Sequence, residues 1–345
     1  MRTLLPLLAL AAIPVLARPA AAQDAPDYVE GKEAAQATVP KEGEAVAAQP
    51  DGWTHKLSLG TNFSFGHSSN VVGSPDGGTF QVGLLLDGAA SLRHGQHVWQ
   101  NALSVTHTQT KTPAIDPFVK TVDDFNLRST YLYELAKVRW LGPFARVRFQ
   151  TSLLPGYLVV AEPRRLRITD TDGDVTTRGL PAQENFELTS AFEPFLMRQS
   201  TGVFARPYDK KEIQLLTTLG LGAQEVFTQA GLAVTDDDTT TPLELTKLAD
   251  SVQAGAEIEV VASGEWQQDL TWGASANVLW PFVVDAETDL EGADLVNVEF
   301  GLKLGYKLSK WASLDYVLSA KKVPLIVDAW QVQNNLLLTA AFNLL

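Results

Sequence analysis

Residues 296–308 read VNVEFGLKLGYKL, and apolar and polar side chains alternate along this stretch almost without a break. The apolar positions, all of one parity, are Val296, Val298, Phe300, Leu302, Leu304, Tyr306 and Leu308. Between them stand Asn297, Glu299, Lys303 and Lys307. Successive side chains of a β-strand point to opposite faces of its sheet. The period of two therefore predicts a strand with one apolar face and one polar face.

The same alternation recurs along most of the chain. It is found in residues 53–65, 80–92, 125–135, 144–153, 252–260, 270–282 and 330–344. After the N-terminus, no stretch reaches the roughly 18 consecutive apolar residues that suggest a membrane-spanning helix. Repeated strand periodicity of this kind predicts an all-β fold.

The connections between these segments differ in length in an ordered way. Long polar loops are predicted near 67–78, 109–122, 156–184, 229–247, 283–294 and 323–329. Tight turns are predicted near 94–97, 140–143, 207–211, 263–266 and 309–311. Long and short connections alternate, as in an antiparallel up-and-down transmembrane barrel of about 12 strands with short periplasmic turns. Because the first and last connections are long, both chain ends are predicted to be periplasmic.

Tryptophan placement gives a separate indication of a membrane. Five tryptophans are predicted at strand ends beside the N-terminus or a short turn, namely Trp53, Trp99, Trp140, Trp266 and Trp311. Aromatic side chains concentrate at membrane interfaces, so these residues are predicted to form an aromatic girdle. A soluble β-sandwich also alternates and is the alternative fold, but it gives no reason for segregated loop lengths or a ring of tryptophans.

Composition excludes several classes of function. The chain has 345 residues, with 27 basic and 40 acidic side chains, and a formal net charge of −13. A nucleic-acid partner is not expected, because such a protein needs a basic face. There is no cysteine, which removes disulfides, thiolate metal sites and thiol nucleophiles.

The N-terminal residues are predicted to lie outside the barrel. A positive start at Met1–Arg2, an uncharged apolar run from Leu4 to Leu16 and the small residues Ala20–Ala22 predict a signal peptide over 1–22. Residues 23–51 are rich in Ala, Glu and Pro and predict a flexible periplasmic segment. The barrel is then expected over 52–345, in the bacterial outer membrane. Its expected partners are outer-membrane lipid, lipopolysaccharide and the barrel assembly machinery.

Several stretches resemble a family of bacterial outer-membrane barrel proteins of unknown function. The resemblance rests on GWTHKLSLGTNFSFG at 52–66, VWQN at 98–101, DDFNLRSTYLY at 123–133, TSLLPGY at 151–157, KKEI at 210–213 and NVEFGLKLGYKLSKWASLDYVLSAKK at 297–322. Members of that family open with a G-W strand and contain a strand that ends in P-G-Y. The first 160 residues also resemble the salt-induced outer-membrane barrels. Neither resemblance implies an activity or catalytic residues.

Charged side chains on the polar faces predict a polar lumen. The inward positions include Asp87, Arg128, Glu134, Arg146, Arg148, Glu257, Glu259, Glu299, Lys303, Lys307 and Asp315. In one interpretation these groups pair with one another and fill a narrow barrel, because buried charges need partners. In the other, Arg128, Arg146 and Arg148 form a cationic patch along a polar pathway.

The loops and histidines give weaker indications. Asp170, Asp172 and Asp174 have a spacing suited to a divalent cation, but Val175 and Pro181 stand where a helix–loop–helix calcium site needs Gly and Glu. No other cofactor is expected. His107 and Ser104 are three residues apart and so lie on opposite faces of one strand, which prevents a nucleophile–base pair there.

The sequence therefore predicts a structural envelope component or narrow pore with no catalytic residues. The alternatives are an outer-membrane hydrolase and a surface-binding or adhesin barrel that uses the loops at 156–184 and 229–247.

Overall fold

The protein is described by a computed structural model covering residues 28–29, 51–68, 77–229, 231–235, 241–266, 269–286, 288–309 and 312–343. Twelve strands close into an antiparallel barrel. They are β2 (Gly52–Ser68), β3 (Gly77–His94), β4 (His97–Thr112), β5 (Ile115–Tyr133), β6 (Leu141–Thr151), β11 (Phe195–Lys210), β12 (Ile213–Phe227), β15 (Ser251–Trp266), β16 (Leu270–Asp285), β17 (Asn297–Lys307), β18 (Ala312–Val323) and β19 (Val327–Asn343). The prediction of an all-β barrel of about 12 strands is confirmed.

The barrel closes in chain order, with β19 pairing back onto β2 through Leu338 and Phe63 at one end and Asn343 and Ser58 at the other. Closure leaves no barrel strand with an unpaired edge, and this is the condition for β-structure in hydrocarbon. The start of β2 and the end of β19 lie at one rim, which also carries the connections β3–β4, β5–β6, β11–β12, β15–β16 and β17–β18. We call this the short-turn rim, and the opposite end the loop rim.

Two predicted long loops are wrong. Residues 109–122 mostly continue β4 and β5, which meet at a tight turn at 113–114, and residues 323–329 hold only a three-residue turn between β18 and β19. Along 109–122 the two faces of the chain do not meet different surroundings, since Ile115, Val119, Lys120 and Val122 of β5 are all buried. Alternation is then lost while strand pairing continues, and the sequence looks like a loop.

The two longest connections fold into a small β-structure at the loop rim. The connection from β6 to β11 contains β7 (Gly156–Val160), β8 (Arg164–Thr169), β9 (Val175–Leu180) and β10 (Phe186–Thr189). The connection from β12 to β15 contains β13 (Leu232–Val234) and β14 (Leu243–Lys247). A four-stranded sheet has the order β13–β14–β8–β9, and β7 pairs with β10. We call these six strands the cap.

The cap has its own apolar core. Its buried residues are Leu158, Val160, Leu166, Leu180, Leu188, Leu243 and Leu245. A second cluster joins the cap to the barrel, where Val159 of β7 packs against Ile115 and Val119 of β5. A 3-10 turn, Gly292–Leu295, lies in the connection before β17.

Within the N-terminal segment 23–51, the described residues are Tyr28, Val29 and Asp51. The first two form β1 (Tyr28–Val29), which pairs antiparallel with Val160 and Val159 of β7. The signal peptide and residues 23–27 and 30–50 lie outside the described residues, and both assignments stay predictions. β1 lies beside the cap at the loop rim, whereas Gly52 begins β2 at the short-turn rim, so Tyr28 and Val29 are at the opposite end of the barrel from the side predicted for this segment. No helix in the described ranges is long and apolar enough to cross a membrane.

Candidate functional site in the barrel lumen

Three arginines form a row on the inner wall of the barrel. Arg128 of β5 stands opposite Arg148 of β6, which stands opposite Arg198 of β11. Arg146 lies two residues from Arg148 on β6, on the same inward face. Like charges placed directly opposite in a sheet repel each other. This row therefore needs acidic partners, and they come from the other side of the barrel.

The acidic partners of Arg128 and Arg146 are Glu259 and Glu257 of β15. Arg128 donates two hydrogen bonds to Glu259, with N–O distances of 3.0 and 2.9 Å. Arg146 donates to Glu257 at 2.7 Å and also contacts Glu259. Three strands, β6, β11 and β12, separate β5 from β15 in the barrel order. The bidentate geometry favours the ionised forms of both side chains.

The acidic partner of Arg148 and Arg198 is Glu299 of β17. Arg148 donates to Glu299 at 3.0 Å, and Arg198 donates to the same carboxylate at 2.6 Å. Four strands, β11, β12, β15 and β16, lie between β6 and β17. In a ring of twelve strands this is one strand short of diametrically opposite. The Arg148–Glu299 pair therefore bridges nearly the full width of the lumen.

Neutral hydrogen-bonding groups complete this cluster. Asn277 donates to Glu257 at 2.7 Å and accepts from Arg198 at 2.9 Å. Gln150 donates to Asp124 at 2.8 Å and accepts from Arg148 at 3.3 Å. We call the charged members the lumen network: Arg128, Arg146, Arg148, Arg198, Asp124, Glu257, Glu259 and Glu299. The four arginines pair with the three glutamates, and pairing of this kind is what buried charges require.

A glycine gives the network the space it needs. A Cβ at Gly222 of β12 would lie 2.5 Å from the Oε2 atom of Glu257. A larger side chain there would require Glu257, a partner of Arg146, to shift. Gly222 stands opposite Gly255, two residues from Glu257 on β15. Its strand, β12, lies between the strands that carry the arginines and those that carry the glutamates.

An apolar layer lies between the lumen network and the short-turn rim. Its buried side chains are Val98, Leu132, Phe144 and Phe204, with Leu216 packed against them. The guanidinium of Arg146 lies over the Phe144 ring, 5.4 Å from its centre. Next to this layer at the rim, Glu134 forms ion pairs with Arg93 and Arg206, with N–O distances of 2.9 and 3.4 Å. Side chains therefore fill this part of the lumen in successive layers.

The predicted lumen residues divide into two sets. Arg128, Arg146, Arg148, Glu257, Glu259 and Glu299 come together in the lumen network, and Glu134 joins the arginine pair at the rim. The other four lie apart from the network. Asp87 stands opposite Ser58 and Ser104, Lys303 opposite Val317, and Asp315 accepts a hydrogen bond from Ser313 at 2.6 Å, while Lys307 is exposed at the end of its strand.

Sequence reasoning missed Arg198, Asp124 and Asn277. Arg198 lies in residues 185–213, where Pro194 and Pro207 hide the alternation. Its parity with Ser200 and Gly202 on β11 was the available signal. Asn277 lies within the alternating segment 270–282, whereas Asp124 directly precedes the segment 125–135.

The outer surface of the barrel carries two aromatic rings. Trp53, Trp99, Trp140 and Trp266 are 43–64% exposed near the short-turn rim, and Trp311 lies outside the described residues. A second ring toward the loop rim contains Phe65, Phe80, Phe118, Trp280, Phe282 and Trp330, also exposed. Trp280 stands opposite Ala256, ten residues along β15 from Trp266. At about 3.3 Å per residue and a tilt of about 40°, the rings are about 25 Å apart, the height of an outer-membrane apolar band.

The structure also places the predicted acidic loop and the pair His107 and Ser104, which the sequence excluded as a catalytic pair. The Asp170 carboxylate accepts backbone N–H groups of Asp172 and Asp174, at 3.0 and 2.9 Å, and so stabilises its own turn. No group of three or more potential metal ligands occurs in the described ranges, and a divalent cation on this loop stays a prediction. His107 stands opposite Leu84 on the outer face, while Ser104 stands opposite Asp87 on the inner face.

The fold and the lumen together define a closed β-barrel of the outer-membrane type. Residues 73–157 match a family described as a protein of unknown function, DUF3078. This agrees with the resemblance to a family of unknown function, while the similarity to salt-induced barrels stays a prediction. None of the curated proteins compared matches the sequence.

Solved structures with a similar course of the chain are bacterial membrane proteins. The translocator domain of the autotransporter NalP from Neisseria meningitidis is 8% identical, with 86% of this chain and 90% of that chain covered and a TM-score of 0.38. An outer membrane channel from Pseudomonas putida F1 is 8% identical, with 86% and 97% covered and a TM-score of 0.39. The Pseudomonas putida toluene transporter TodX is 11% identical, with 86% and 88% covered and a TM-score of 0.32.

Proposed function

We propose that this protein is an outer-membrane β-barrel whose lumen is closed by side chains, and that it serves as a structural component of the envelope. The observation that carries the proposal is the lumen network, which joins β5, β6 and β11 to β15 and β17 across the barrel. A wide aqueous channel needs this volume free of side chains. Any remaining path is a narrow one beside the network.

The outer surface supports placement in the outer membrane. Exposed apolar side chains between the two aromatic rings include Leu59, Phe63, Leu219, Leu221, Ile258, Phe300 and Leu336. Such a belt is costly in water and stable in lipid. In this proposal the belt contacts outer-membrane lipid and lipopolysaccharide, and the barrel assembly machinery inserts it. The short-turn rim then faces the periplasm and the cap faces outward.

Single-channel recording in planar bilayers tests the closed lumen. The wild-type protein is expected to give no steps, or steps severalfold smaller than those of a variant with an emptied network. The variant replaces Arg128, Arg148, Glu259 and Glu299 by serine, which removes two positive and two negative charges and leaves the net charge unchanged. Heat-dependent gel mobility verifies that both proteins are folded. Equal, large steps from both would show that the lumen is already open.

A second candidate function is a surface-binding barrel. It is favoured by the cap, because the two connections from which the sequence predicted binding fold together around the apolar residues Leu158, Leu166 and Leu245. Loops that only join strands do not need such a core. In this candidate function the barrel anchors the cap. A closed lumen is compatible with a binding function of the cap.

A further inference from the structure

Strand β9 is an exposed edge of the cap sheet. It pairs with β8 on one side, and no other described strand pairs with its second side. Five of its six residues, 175–179, are exposed, and only Leu180 is buried. Natural proteins usually protect such edges with proline, lysine, a bulge or a covering segment. The sequence VTTRGL contains neither proline nor lysine.

The backbone of β9 has hydrogen-bonding groups available on its free side. The N–H of Asp170 donates to the carbonyl of Asp174 at 3.0 Å, which closes the hairpin between β8 and β9. Backbone groups alternate in direction along a strand, so Thr176, Arg178 and Leu180 point toward β8. Val175, Thr177 and Gly179 therefore direct their N–H and C=O groups outward.

The side chains on this edge leave a shaped surface. Arg178 lies over the Phe186 ring, 5.3 Å from its centre, and so lies on the face of β9 that also carries the buried Leu180. Val175 is 48% exposed, and the space where Gly179 would carry a Cβ holds no atom within 4 Å. Arg165 of β8 stands opposite Gly179 and is exposed. Its guanidinium can extend across Gly179 to whatever lies beyond the edge.

We propose that β9 pairs antiparallel with β9 of a second copy of this chain. A two-fold axis at Thr177 places Thr177 of one copy opposite Thr177 of the other. The same axis places the exposed Val175 of each copy over the open space at Gly179 of the other. The outward backbone groups of the two strands can then pair, and each Val175 occupies the open space at Gly179 of the other copy. This self-complementarity is what a two-fold interface requires.

The charges at the two ends of β9 complement each other in this arrangement. Arg165 stands near the Gly179 end, and the acidic turn with Asp172 and Asp174 adjoins the Val175 end. Antiparallel pairing brings Arg165 of each copy beside the acidic turn of the other. Parallel pairing would place the two arginines together and the two acidic turns together. The antiparallel dimer is therefore the one that the charges favour.

Cysteine cross-linking in lipid vesicles tests the dimer, and the cysteine-free chain gives a clean background. The contact is small, so the dimer is expected to be weak and is best examined at membrane concentrations. Thr177→Cys places the two sulfurs at the two-fold axis, within the Cα separation that a disulfide accepts. Under copper–phenanthroline oxidation it should give roughly fivefold more cross-linked dimer than the control Thr176→Cys, which faces away and is offset from its copy.

A charge exchange makes the test specific. In the Thr177→Cys background, Arg165→Asp should reduce the cross-linked fraction, and adding Asp174→Arg should restore it. Equal cross-linking of the Thr177 and Thr176 variants, or no cross-linking of either, would overturn the proposal. Cross-linking of Thr177→Cys to a different protein in cell envelopes, in place of the dimer, would also overturn it.

Discussion

Replacing Glu259 by glutamine is expected to lower the free energy of unfolding by about 3–5 kcal/mol, the range for a buried ion pair that loses one partner. Glu259 accepts both hydrogen bonds of Arg128 and also contacts Arg146. The side chains of Arg128 and Glu259 are only 5% and 8% exposed. Glutamine keeps the size of the side chain but leaves two guanidinium groups short of negative charge. The measurement is denaturant unfolding in lipid vesicles, followed by tryptophan fluorescence.

Glu265→Gln is the matched control. Glu265 also binds a cation, Lys211, at 2.8 Å, but both side chains are exposed at the short-turn rim. The hydrogen bond from Lys211 to Glu265 raises the pKa of Lys211, yet water and salt screen an exposed pair. No measurable change in stability is expected from this variant. If Glu259→Gln were equally silent, Glu259 would be solvated, and the network would not close the lumen.

Leu219→Arg is expected to destabilise the protein by about 2–4 kcal/mol in a lipid bilayer. Leu219 lies near the middle of β12, on the outer face, and is 54% exposed. In a soluble protein an arginine at so exposed a site would be nearly neutral. In a bilayer its charge would sit near the centre of the apolar band. The size of the destabilisation therefore separates a transmembrane barrel from a soluble one.

Leu135→Arg serves as the comparison for Leu219→Arg. Leu135 is 39% exposed and lies in the connection between β5 and β6, at the short-turn rim. Lipid headgroups and water accept a charge there, so a change near zero is expected. The free energy of unfolding of both variants is measured in the same vesicles. Similar small effects at both sites would contradict membrane placement.

Sequence alone predicted the wall of the barrel because its two faces meet different solvents. In residues 296–308 every second side chain faces outward, where Phe300 and Leu304 are exposed. Glu299 and Asn297 face inward on the opposite parity. The cap could not be predicted in the same way. Its strands are short, and three consecutive residues of β7, 158–160, are buried, so no alternation marks them.

The pairs across the lumen were beyond sequence reasoning for a geometric reason. Parity gives the inward direction of Arg148 and Glu299, but their meeting depends on the strand number and the stagger that close the barrel. An error of two strands would give each arginine a different partner. The hairpin partners of β17, in contrast, follow from predicted tight turns such as the one near 309–311.

A double-mutant cycle on Arg148 and Glu299 tests the closed lumen most directly. A guanidinium nitrogen of Arg148 and a carboxylate oxygen of Glu299 are 3.0 Å apart, although four strands lie between β6 and β17. Unfolding free energies are measured for the wild type, Arg148→Gln, Glu299→Gln and the double variant. A coupling of about 1 kcal/mol or more is expected for charges in contact. Additive effects, within about 0.3–0.5 kcal/mol, would show that the two side chains do not meet and would contradict a lumen closed by this network.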